Sequence, residues 1–441
     1  MRASASVNER AQHGKSRREA VSRAAQAHLL PKQRQFDPID VLRASAEGRV
    51  PQLLPVKYAR MKLSPFAFFR GAVSIMAADL GRLPNSGLHV RLCGDAHVQN
   101  LGSFAAPDGK LVFDLNDFDE TIRGPWEWDI KRMAASIVLA GQESGHGRAA
   151  SRDAAEAFVA SYCRSLRAFS QLPLLLVARH QIHREARIQP IQAALRQSER
   201  TRPLDLLTKY TELDGRGQRR FRDLRPGFWR IRGAKAKEIL GSLHPYRNNL
   251  SPDRRHLFDL FRPIDVGFKC VGTGSVGLRD YVVLFEGNGA QDPLFLQVKQ
   301  EVASAYAKYL PKAVDGHQGR RAAQGQRATQ PISDLLLGWT TIGSHHYLVR
   351  QLNDHKGSID LRALRGGGLR SLALVAGELL ARGHVRSGDA WEIRGYCGSS
   401  LKMAKALRIF ASEYADQTEA DYAAFAAAIK SGKIRAAQDA G

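Results

Sequence analysis

Two short runs of this sequence carry the residue types from which phosphoryl-transfer chemistry is built. The first is Cys93-Gly94-Asp95-Ala96-His97-Val98-Gln99-Asn100-Leu101-Gly102, and the second is Phe113-Asp114-Leu115-Asn116-Asp117-Phe118-Asp119-Glu120. Both carry their carboxylates at strand ends, beside turns. Such positions suit a divalent cation of the Mg²⁺ type, which takes oxygen ligands and fills its other positions with water and phosphate. Phosphoryl transfer needs an Asp near the attacking hydroxyl, an Asn and an Asp on the metal, and donors around the phosphates. Asp95, Asn100 and Asp117 have the types and the spacing for those parts. Two Asx-rich turns without chemistry are the alternative reading of the same residues. A binuclear metal hydrolase built on Asp95-Ala96-His97 would need further Asp, His and Asn clusters downstream, and the sequence does not supply them.

A third run, Gly272-Thr273-Gly274-Ser275-Val276-Gly277, has the form GxGxxG. A dinucleotide-binding fingerprint of that form must open a helix. Here Leu278 to Phe285 alternates and reads as a strand, so the glycines join two strands. In such a hairpin bare backbone N–H groups approach phosphates, as in the phosphate cover of a kinase. Leu294 to Val298 supplies a third strand with Lys299 at its end, where a kinase keeps the lysine that contacts the α- and β-phosphates. A structural hairpin with a surface lysine accounts for the same residues without a ligand.

The run from Gly94 to Asn100 resembles the Gly-Asp-x-His-x-x-Asn loop of aminoglycoside-phosphotransferase-like and choline-kinase-like enzymes. Asp117-Phe118-Asp119 is similar to the metal-binding Asp-Phe-Gly position of kinases. Asp129, in Gly124-Pro125-Trp126-Glu127-Trp128-Asp129, matches a further Asp that opens a core helix in those phosphotransferases. The resemblance implies a kinase-like two-lobed α+β fold that uses ATP, or another nucleoside triphosphate, with Mg²⁺. It makes Asp95 the catalytic base or hydroxyl-orienting residue, and Asn100 and Asp117 the metal ligands. Asp129 would brace the catalytic loop, while Gly272, Gly274, Ser275, Gly277 and Lys299 would bind the nucleotide.

Two features depart from that pattern. The glycine loop and Lys299 follow the catalytic loop instead of preceding it. Reading 263–441 before 37–180 restores the usual order, so the chain reads as circularly permuted, a rearrangement that is tolerated where termini lie close together at the surface. A site assembled between two subunits is the other way to join the parts. Moreover, kinases pair this lysine with a Glu on the following helix, and no Glu occurs between Glu301 and Glu378. Asp315 and Asp334 are poor substitutes, so a catalytically inactive nucleotide-binding scaffold stays open as a reading. Over most of residues 37–390 the chain resembles an uncharacterised bacterial family, domain of unknown function 2252. The segments that carry this include Leu63-Ser64-Pro65-Phe66-Ala67-Phe68-Phe69-Arg70-Gly71, the three runs above and Val349-Arg350-Gln351-Leu352. Arg70, Arg350 and Lys356 are further candidates for phosphate or substrate contact.

The elements that must position these residues can be read coarsely. Strands are expected over Leu88–Cys93, Leu111–Leu115, Val266–Val271, Leu278–Phe285, Leu294–Val298 and Tyr347–Leu352. Helical spacing predicts a buried helix over Trp128–Gly141, helix over about 152–200, a helix from Leu369 to about His384 and an Ala-rich one around Glu419–Lys433. The expected organisation is a basic flexible tail (1–36), a larger helical lobe with the catalytic and metal loops (37–185), a basic connecting segment (186–262), a β-rich nucleotide-binding lobe (263–352) and a helical C-terminal segment packing on the larger lobe (353–441).

A chain of 441 residues with 44% hydrophobic and 25% charged residues has globular composition. No apolar run is long enough to span a bilayer, and four scattered cysteines form no CxxC pair. No membrane partner and a cytoplasmic location are the expectations. The balance of 66 Lys+Arg against 43 Asp+Glu, net +23, attracts polyanions of any kind. Arg219 to Arg230 interleaves cations with Phe221, Phe228 and Trp229, the composition of a nucleic-acid surface. The same stretch also reads as a basic linker whose aromatics dock on the core, with only weak, non-specific nucleic-acid binding. The nucleotide is the expected partner, and a small molecule or a protein the expected acceptor.

Overall fold

Alternating apolar residues build the largest sheet. Its six strands lie in the order Gly338–Ile342, His345–Gln351, Pro293–Glu301, Asp280–Glu286, Arg262–Lys269 and Phe228–Ile231, each antiparallel to its neighbours. Tyr281, Val283, Phe285, Leu296, Val298, Tyr347 and Val349 share one face, where they pack on Ile239, Leu243, Tyr246, Leu250 and Phe258. Because side chains alternate along a strand, the register that pairs Asp280 with Lys299 and Gln297 with Arg350 puts these four on the opposite face. Farther along that face Val282, Leu284 and Phe295 are covered by Leu206, Leu207, Tyr210 and Phe221.

The computed structural model describes residues 5–29, 34–183, 188–200, 203–270, 272–310, 316–352 and 357–438. The architecture is mixed α and β with antiparallel sheets. The expected start of the β-rich body at 263 falls too late. Phe228–Ile231 is a strand of the large sheet, and the helices Gly233–Gly241, Leu243–Asn248 and Pro252–Asp259 roof its outer face. Arginines mask this in the sequence, yet Ile239, Leu243, Tyr246 and Leu250 recur at helical spacing and are all buried. Trp229 stacks on Phe268 at 4.3 Å between ring centroids, and Phe221 and Phe228 are buried. The aromatics of the Arg-rich stretch are thus committed to packing.

The rest of the chain is mainly helical and surrounds one helix, Glu127–Glu143, whose residues are buried from Glu127 to Gly141. A helix that is buried all round needs neighbours on every side. They include Pro65–Gly71, Arg148–Gln171, Gly368–Ser387 and Ser400–Lys430. Gly368–Ser387 lies along Arg148–Gln171 and approaches it closely at Gly377, where a Cβ would meet the Phe158 carbonyl oxygen at 2.5 Å. A continuous core joins Phe66 and Trp126 to Leu379, Phe410 and Tyr414, so the C-terminal helices belong to the same body as the first half of the chain. The Ala-rich helix expected near 419–433 is the end of the longer Ser400–Lys430.

The N-terminus is not a solvated tail. Val7–Ala20 is a helix, opened by a reciprocal capping box between Ser6 and Glu9. It docks on Ala390–Cys397 through glycines: a Cβ on Gly14 would meet the Glu392 carbonyl oxygen at 1.8 Å, and one on Gly395 the Ala11 carbonyl oxygen at 2.1 Å. Its cations find fixed partners. Arg10 pairs with Asp389 at 3.0 Å, and Arg17 and Arg18 donate to the carbonyls of Ser86 and Tyr396. Composition read these residues as solvated because it does not register small residues that permit close helix contact.

Candidate functional site

The strand His89–Leu92 ends in a turn at Gly94, whose φ of 88° favours glycine. A Cβ there would also meet the Glu120 carbonyl oxygen at 2.1 Å, so this glycine lets the two Asp-bearing runs touch. Asp129 fixes the turn from the buried helix: its carboxylate accepts from the Cys93 and Gly94 amides at 2.8 and 3.0 Å, and His384 Nε2 lies 3.3 Å away. Beyond the turn, Asn100 Nδ2 donates to the Asp95 carbonyl at 2.8 Å, which commits its NH₂ end and leaves its carbonyl end for a cation. Asp95 Oδ1 accepts from Arg132 Nε at 2.6 Å. Burial pushes the Asp95 carboxyl up to about 6, with Arg132 opposing the shift. His97 is buried 3.7 Å from Asp95, and burial pushes its pKa down, toward the neutral form.

The hairpin Leu101–Ala105 and Leu111–Leu115 carries the second run to the same place. There the two halves of the chain meet. Lys299 Nζ donates to Asp119 Oδ2, 180 residues away in sequence, and lies 3.9 Å from Asp117 Oδ1. Burial alone would raise the Asp119 carboxyl, but the Lys299 ammonium and the neighbouring Asp117 outweigh it and bring it down to about 2. The helix after the lysine strand, Gln318–Thr329, presents Arg321 where a Glu was sought. Arg321 donates to the carbonyls of Thr121, Asp119 and Val302, so this helix grips the backbone of the acidic run instead of the lysine. Of the weak substitutes, Asp334 accepts from the amides of Leu336 and Gln351, and Asp315 lies outside the described residues.

The glycine run is a loop between the strands Arg262–Lys269 and Asp280–Glu286, with φ of 72° at Gly272 and 92° at Gly277. Its carbonyls are held by the first half of the chain. Arg49 Nη1 donates to Gly274 and Val276 at 2.8 and 2.6 Å, Arg60 Nη1 to Gly272 at 2.6 Å, and the Val50 amide to Gly277 at 2.7 Å.

A cleft of about 470 Å³ lies between these parts, with Asp95, Asn100, Asp117, Gly272, Gly274 and Ser275 in its wall. Lys299 and Gly277 line a narrower recess behind it, which shares Ser275. A second cavity of about 90 Å³ is lined by Asn116, Gln297, Gln326, Gln330, Arg350 and Gln351. Among the described residues no cluster of three or more His, Cys, Asp or Glu is arranged to hold a metal ion. Such a cluster is not what Mg²⁺ needs, since it is held by one or two carboxylates with waters and phosphates. Among the described residues Asp119 Oδ1 is buried beside Asp117 and has no hydrogen-bond partner, an anionic atom of the kind that fits such an ion.

Of the looser candidates, Arg70 lines the cleft, whereas Arg350 braces Gln297 at 2.9 Å and Lys356 lies outside the described residues. Sequence reasoning missed Arg132, Asp119 as the lysine partner, and the cations Arg49 and Lys57 in the cleft wall. Arg132 has a signal, a charge on a helix otherwise spaced for burial; Arg49 and Lys57 have none among 66 basic residues.

Residues 49–428 match the sequence profile of a family described as an uncharacterized protein conserved in bacteria, DUF2252, and the chain belongs to that family. No curated protein and no solved structure matches the chain. No helix among the described residues is long and apolar enough to cross a membrane.

Proposed function

For this member of the family we propose a Mg-nucleotide-dependent phosphotransferase of kinase-like, circularly permuted construction. The observation that carries the reading is the meeting of Lys299 with Asp119 and Asp117 beside the Asp95–Asn100 loop, in one chain and without a second subunit. The glycine hairpin, the lysine strand and a following helix come from the second half of the chain, and the two acidic runs from the first. In this reading Asp119 takes the part that a helix Glu plays elsewhere. The side-chain amides of Asn116 and Gln351 in the smaller cavity are of the type that meets the donor and acceptor edges of a nucleobase.

Bound Mg²⁺, held by Asn100 and Asp117 with Asp119 behind them, would neutralise charge developing on the transferred phosphoryl group. The chain's own residues do the rest. Lys299 contacts the phosphates, and the loop Gly272–Gly277, pinned by Arg49 and Arg60, turns its backbone toward them. Asp95, oriented by Arg132, takes the proton of the acceptor hydroxyl. The acceptor oxygen then bonds to the γ-phosphorus as the β–γ bridging bond breaks, and the nucleoside diphosphate leaves.

Water can replace the acceptor in a slow side reaction, so the test is release of labelled γ-phosphate from ATP with Mg²⁺. Wild-type protein is expected to release it, and Asp95→Asn to do so about 100-fold more slowly, the lower end of the range for a general base. Equal rates in the two proteins would contradict the role of Asp95, and no release by folded wild-type protein would contradict the activity.

A further inference from the structure

The phosphotransferase reading leaves one wall of the large cleft unexplained, and that wall is cationic. Lys57, Arg49 and Arg70 line it, in the same cleft as Asp95, Asp117 and Glu120. Lys57 is only 1% exposed, and among the described residues its ammonium makes neither a hydrogen bond nor an ion pair. Arg70 is partly exposed, and among the described residues its buried Nε has no hydrogen-bond partner. Arg49 spends Nε and Nη1 on the carbonyls of Ser45, Gly274 and Val276, which fixes its position, while burial outweighs the support that Glu120 and Asp119 give its charge.

Among the described residues none of these cations forms a hydrogen bond or ion pair with the carboxylates of the cleft, which act on them only through space. Asp95 has Arg132, Asp119 has Lys299, and Glu120 accepts from the Ala305 amide at 2.6 Å. Nor are they the phosphate grip of a nucleotide, which Lys299 and the glycine loop already provide. A buried ammonium without a paired counter-charge is strongly disfavoured. Burial and the neighbouring Arg49 accordingly push the Lys57 pKa well down, with Glu120 only partly opposing them. An oxyanion at this point would restore the proton and engage all three cations, through the charge-assisted bonds that Lys and Arg make to phosphate and carboxylate.

We propose that Lys57, Arg49 and Arg70 form an oxyanion subsite for the acceptor, a small hydroxylated molecule that carries a phosphate or carboxylate group. The inference rests on the phosphotransferase reading and deepens it. A cleft of about 470 Å³ is of small-molecule size. Val41, Ala44, Ser45, Glu47, Val73 and Ser74 complete this part of its wall. With its anion on the three cations, the acceptor turns a hydroxyl toward Asp95.

The test uses inorganic phosphate as the oxyanion probe, titrated by calorimetry into full-length protein saturated with Mg²⁺ and a non-hydrolysable ATP analogue. Phosphate is expected to bind alongside the analogue, and Lys57→Met to weaken it by roughly tenfold or more. Methionine at this buried position should leave the melting temperature level or raised, because it removes an unpaired charge. Arg70→Gln, which keeps polarity and removes charge, is expected to weaken phosphate in the same sense. Phosphate that binds Lys57→Met and Arg70→Gln as well as wild type, or that the analogue displaces, overturns the subsite and leaves the phosphotransferase reading standing. Failure of the analogue itself to bind wild-type protein overturns that reading, and the acceptor role with it.

Discussion

Asp95 concentrates the chemistry of the account in one carboxyl group. Its pKa of about 6 lies above the ordinary 3.8, because burial outweighs Arg132. As a base it works only when ionised, so kcat/KM should fall as pH drops through about 6. Replacing Arg132 by Met removes the opposing cation and should move that acid limb to higher pH, as a pH–rate profile will show. The linkage to stability has the opposite sign. With the folded pKa above the unfolded one, this group stabilises the fold below 3.8 and loses that contribution as pH rises through about 6. Acid inactivation should therefore precede unfolding, and a circular-dichroism signal unchanged at pH 5.5 would separate the two. The acidic runs stand out in the sequence because their residue types and spacing resemble a phosphotransferase pattern, and the structure brings them close together. The roles of Arg132, Asp119 and Lys57 do not, since a partner is chosen by folding and no spacing rule links position 119 to 299.

At the scale of elements, the sequence spoke clearly wherever one period dominated. The buried helix Glu127–Glu143 and the strands about Val283, Leu296 and Val349 follow directly from it. It spoke poorly where small residues, not large apolar ones, make the contact. Val7–Ala20 docks through Gly14, and Gly368–Ser387 through Gly377. Two glycines give a paired test. Gly377→Ala gains helix propensity but drives a Cβ to 2.5 Å from the Phe158 carbonyl oxygen and 2.7 Å from the Tyr162 amide nitrogen. Neither atom is the end of a flexible side chain, so overpacking should win, with a net loss of about 1–3 kcal/mol in urea unfolding. Gly241→Ala meets nothing within 4 Å at the end of its helix and should be neutral or stabilising by up to about 1 kcal/mol. Equal effects at the two sites would contradict the close helix contact.

At the scale of the whole molecule, the central claim is that two stretches far apart in sequence close one nucleotide site within a single chain. The basic charge, net +23, points to polyanions in general and does not select this one. The reversed order of the motifs was legible in the sequence, and it left two ways for them to meet, within one permuted chain or between two subunits; the choice depends on how the halves of the chain pack, which no local pattern encodes. The most direct measurement is a calorimetric double-mutant cycle for binding of ATP with Mg²⁺, using Asp117→Asn, Lys299→Met and the double variant. Wild-type protein should bind only when Mg²⁺ is present, and each single variant should lose affinity by roughly tenfold or more. The losses should not add in the double variant, because both residues act on one triphosphate and lie in contact range. A flat wild-type titration, or a Lys299→Met protein that binds as tightly as wild type, would contradict the account.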